Sequence, residues 1–95
     1  MQLSDSQIID LNQIYSGLER EFADHYRVEF VKIYESSGSA GVIEAFKAAK
    51  TKREQAVYWK FGRMNGIRAF YLEEERKKYG ETTPELSCVI TGGGR

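Results

Sequence analysis

The chain has 95 residues, one domain's worth, and its 14 basic and 14 acidic side chains give a formal net charge of zero. That balance supplies no whole-chain drive toward nucleic acid or an anionic membrane surface. One cysteine, Cys88, excludes an intrachain disulfide, and with a single histidine it cannot close a four-ligand zinc site, so neither metal nor cofactor is expected.

The N-terminal segment reads as the start of a helix. Ser4 is placed as N-cap and Gln7 as the third helical residue, which makes a capping box, while Leu3 and Ile8 can form the hydrophobic staple. From there Ile8, Leu11, Tyr15, Leu18, Phe22, Tyr26, Phe30 and Ile33 recur at spacings of three and four. Ser36-Ser37-Gly38-Ser39 breaks that pattern, with Gly38 suited to the residue after a helix end, so the first helix is expected over about residues 5–36.

A second stripe follows through Val42, Phe46, Ala49, Ala56, Val57, Met64, Ile67 and Tyr71, and ends near Tyr79 with Gly80 and Pro84 beyond it. The short connection predicts antiparallel packing of the two helices. Asn65-Gly66 is a turn signal inside the second stripe, but the apolar phase matches on both sides, so continuity is favoured over a break. The expected fold is all-α: a long antiparallel helical hairpin over 1–80, with the break near Asn65-Gly66 as the alternative, and an extended C-terminal tail over 81–95. The tail's Leu86–Thr91 stretch is rich in β-branched residues and suits an extended segment.

Residues 47–68 carry seven bases against Glu54 alone, with Tyr58, Trp59 and Phe61 interleaved. Cations among aromatic rings suit a nucleic-acid groove, and Lys50, Arg53, Lys60, Arg63 and Arg68 are the candidate contacts to nucleic acid or another anion. Residues 1–46, however, carry eight acids and three bases, so charge complementarity between the two halves of the hairpin is the preferred reading. On a helical wheel at about 100° per residue, Arg53 and Lys60 fall near the centre of the second stripe, and Glu19 and Glu29 on or beside the first. Charges so placed need partners, which predicts an ion-pair cluster of Glu19 and Glu29 with Arg53 and Lys60 that sets helix register.

Gly62, Gly66 and Ala69 lie together on the opposite face of the second helix, flanked by Tyr58, Trp59 and Phe70. A lone hairpin would leave this aromatic and small-residue face exposed, and such patches mark partner sites. It is the expected interface with a second copy or a protein partner. No nucleophile, base and oxyanion set is recognisable around His25 or Cys88, so no catalytic residue is assigned and the chain is expected not to be an enzyme. The N-terminus lacks a basic segment followed by an apolar run, and no stretch approaches the roughly 20 apolar residues of a membrane span, so a cytoplasmic setting is expected.

Overall fold

The computed structural model describes residues 2–82. Four helices make an all-α fold: α1 (Asp5–Ser16), α2 (Arg20–Ala48), α3 (Lys52–Met64) and α4 (Glu73–Thr82), with a 3₁₀ turn at Arg68–Phe70 before α4. No strand occurs among the described residues. Residues 83–95, with Cys88 and most of the expected tail, lie outside them, whereas Glu81 and Thr82 belong to α4.

The start of α1 follows its sequence. Ser4 Oγ accepts the Gln7 N–H at 3.2 Å and the Ser4 N–H donates to Gln7 Oε1 at 2.8 Å. Leu3 and Ile8 are both buried, as the staple requires. The long first helix does not form. It stops at Gly17, whose N–H reaches back to the Ile14 and Tyr15 carbonyls. A straight helix over residues 5–36 would be about 48 Å long, more than the molecule's longest axis of 36 Å.

The backbone of α2 is bent sharply at Gly38 (φ 67°, ψ −158°), a conformation that an L side chain rarely adopts. The chain turns again at Ala49–Thr51. Thr51 caps α3, its side chain accepting the Glu54 N–H, while Glu54 Oε1 takes the Lys50 N–H, both at 3.2 Å.

These two turns replace the expected hairpin. Phe22 meets Arg53, Tyr26 meets Tyr58 and Phe30 meets Phe61, so contacts advance in the same direction along the first arm of α2 and along α3. Those two segments are parallel rather than antiparallel, because the short arm 39–48 carries the chain back between them. The second helix is also interrupted at Asn65-Gly66. The Gly66 N–H bonds to Arg63 O and the Ile67 N–H to Gly62 O, each at 3.0 Å, which is a Schellman motif around the left-handed Gly66 (φ 84°).

The centre of the molecule is α3, which packs against α1, α2 and the 3₁₀ turn. Flanked on several sides, it buries Ala56, Val57, Tyr58, Trp59 and Gly62. Of the expected core stripes, Ile8, Leu11, Phe30, Val42, Phe46, Ala56, Val57 and Ile67 are buried, but Met64 is 67% exposed because the helix ends there.

Candidate interaction surfaces

The face expected to meet a partner is mostly interior. Trp59 and Phe70 are 2% and 0% exposed, Tyr58 and Gly62 are buried, and Ala69 is half-buried. The break after Met64 explains the inversion: the chain reverses, and Phe70 returns onto Gly62. A Cβ built on Gly62 would stand 2.4 Å from the Phe70 ring. The Trp59 indole N–H donates to the Phe70 carbonyl at 2.9 Å, which ties the returning segment to α3. The close approach that Gly62 permits is therefore made by the chain's own Phe70. Gly66 is exposed and has no neighbour where a Cβ would sit, so it serves the turn.

The predicted ion-pair cluster does not form either. Among the described residues, no ion pair joins Glu19 or Glu29 to Arg53 or Lys60. Glu29 pairs with Lys32 one turn along its own helix at 3.9 Å. The two cations rest on aromatic rings instead, the Arg53 guanidinium 4.5 Å from the centre of Phe22 and the Lys60 ammonium 5.6 Å from that of Tyr15. A ring's negative face holds a cation at such distances while its head stays in water. Carboxylates are thus unnecessary at these positions.

The five candidate anion contacts are divided by the fold. Arg63 is engaged with Glu75 through two parallel bonds of 2.6 Å. Arg68 donates to the Arg76 carbonyl at 3.2 Å. Lys50, Arg53 and Lys60 carry no ion pair among the described residues. The charge complementarity expected between the halves is sparse across helices: Lys52 meets Asp10 at 3.6 Å, while four of the other five ion pairs lie within single helices.

The Arg63–Glu75 pair is the principal electrostatic link between α3 and α4. The Arg63 guanidinium holds the Glu75 carboxyl down at about 2 against the opposing effect of burial, with the Leu72 N–H adding to the lowering. A carboxyl lowered from 4.5 to about 2 stabilises the fold at neutral pH and loses that contribution as pH falls between those values. Glu75→Gln should cost about 2 kcal/mol at pH 7 and flatten the acid limb of the stability profile. Urea unfolding at pH 7 and at the acid end checks both, and equal stability of the two proteins at neutral pH would refute the assignment.

Two of the surface concavities lie against α3. Between α1 and α3 runs a groove of about 340 Å³ with Ile8, Ile9, Trp59 and Leu72 as its apolar lining and Asn12, Gln13, Lys60 and Arg63 as its polar lining. Between α2 and the start of α3 lies an open depression of about 410 Å³ lined by Tyr26 and Tyr58, by Ala45 and Ala49, and by Lys50 and Glu54. Burial raises both phenols, and Glu54 and Glu29 raise them further. The sequence reading missed this tyrosine pair, because the parallel pairing that unites Tyr26 with Tyr58 appears only once Gly38 turns the chain.

The described residues contain no group of three or more His, Cys, Asp or Glu side chains placed to hold a metal. His25 is exposed and lies edge-on to Tyr26 at 4.9 Å. No helix among the described residues is long and apolar enough to cross a membrane. No family model matches this chain, and no curated protein or solved structure matches it either.

Proposed function

We propose that this chain is a small non-enzymatic assembly protein that works as a homo-oligomer. The observation that supports this best is Ile9. It is 54% exposed on the wall of the α1–α3 groove, beside Ile8 and Trp59, which belong to the core. An apolar wall continuous with the core loses water contact when a second surface closes over it. The zero net charge leaves no overall repulsion between copies. This surface replaces the one expected around Trp59 and Gly62.

Light scattering across protein concentration, on the wild type and on Ile9→Asp, tests the reading. A dimer or larger assembly that dissociates in Ile9→Asp is the expected result. A wild type that stays monomeric throughout would overturn self-assembly, and binding to a different protein would then be sought on the same groove. The nucleic-acid alternative rests on Lys50, Arg53 and Lys60. It is separated by salt, since phosphate contacts weaken steeply with ionic strength and apolar association does not.

A further inference from the structure

The tyrosine depression between α2 and α3 has a chemistry of its own. Two phenol rings meet edge-to-face there, with centroids 5.9 Å apart. The small side chains Ala45, Ala48 and Ala49 share the lining with them. Glu54, in the first turn of α3, lines the depression as well, its carboxylate accepting the Lys50 N–H and lying within hydrogen-bonding reach of the Tyr26 hydroxyl. Glu29, one turn along α2 from Tyr26, adds a second carboxylate whose field reaches both phenols.

Ring faces and carboxylates attract the same kind of ligand. Aromatic rings hold a cation by their quadrupole, and a carboxylate at the edge supplies a charge-assisted hydrogen bond to an N–H group. The Arg53–Phe22 and Lys60–Tyr15 contacts show the chain using rings to hold cations elsewhere on its surface. We infer that the depression formed by Tyr26, Tyr58 and Glu54 is a binding site for an organic cation, an alkylammonium or alkylguanidinium group. Lys50, a cation in the same lining, is its internal competitor. The site is separate from the α1–α3 groove and stands whether or not the chain self-assembles.

The test is an NMR titration that follows the Tyr26 and Tyr58 ring signals and the Ala45 and Ala49 methyls. The probes are the Nα-acetyl amides of lysine, arginine and norleucine, with n-butylammonium as a free cation lacking a peptide backbone. Saturable shifts with a Kd on the order of 1 mM are expected for the cationic probes only. Glu54→Gln keeps an oxygen for the Lys50 N–H, so the helix cap survives, and it should weaken binding about tenfold. Lys50→Ala should tighten binding about twofold by removing the competing charge. Tighter binding of the lysine or arginine amide than of n-butylammonium assigns the site to a protein side chain, and equal binding assigns it to a free amine. Equal shifts for norleucine, indifference to Glu54→Gln, or shifts centred on other surface carboxylates would each overturn the inference.

Discussion

Trp59→Ala should remove about 4 kcal/mol of stability. That is a large part of the roughly 5–14 kcal/mol expected of a chain this size, enough at the lower end of that range to leave the variant partly unfolded at room temperature. The indole is 2% exposed on the central helix, where it supports the packing of α1 as well as the returning 3₁₀ turn. Its N–H also satisfies the Phe70 carbonyl at 2.9 Å. Trp59→Phe separates the two contributions. It keeps an aromatic ring in the space but leaves that carbonyl without its donor, and should cost about 2 kcal/mol. Urea unfolding followed by far-UV circular dichroism reads both values. A loss below about 1 kcal/mol for Trp59→Ala would mean that the ring is not at the centre of the fold.

The helical class and the start of α1 were legible because both depend on local chemistry. Ser4 and Gln7 satisfy each other's backbone partners within four residues, whatever the rest of the chain does. The topology was not legible, because it hangs on where apolar stripes are cut. Gly17 lies off the apolar stripe, so the periodicity does not mark it, yet it ends α1. Gly38 reads as a break, but a break that returns the chain for only ten residues differs from one that starts a long partner helix. Thr51 and Glu54 carry a readable signal that the continuous apolar stripe masks. Thr-x-x-Glu before an apolar run marks a helix start, and it would have divided the second helix where the structure divides it.

The misplaced sites follow from that error of continuity. On one unbroken wheel, Gly62, Trp59 and Phe70 share a face turned away from the core. Once the helix stops at Met64, Phe70 belongs to a segment running back, and the same residues meet inside the molecule. The ion-pair cluster failed for a different reason. Arg53 and Lys60 do lie among apolar neighbours, but with 13% aromatic residues in the chain the nearest favourable partners are rings.

Gly62 gives the sharpest distinction between an interior lock and a partner-facing notch. Alanine at this helical position would ordinarily gain about 1 kcal/mol over glycine. Here its Cβ would stand 2.4 and 2.5 Å from two ring atoms of Phe70 and 3.2 Å from Ile67 Cδ1. Phe70 has no free direction in which to yield: it is fully buried, and its ring lies 5.2 Å from that of Phe46. Overpacking of this kind should outweigh the helix gain and leave Gly62→Ala about 2 kcal/mol less stable. In a Phe70→Leu background the smaller side chain relieves the clash. The second substitution should then cost less than about 0.5 kcal/mol, a coupling that a double-mutant cycle by urea unfolding reads directly. If Gly62 instead faced a second molecule, the alanine variant would be at least as stable as wild type as a monomer and would change only the assembled mass. A stabilised monomer would therefore return the Trp59 and Gly62 face to the surface and overturn the arrangement of the 3₁₀ turn described above.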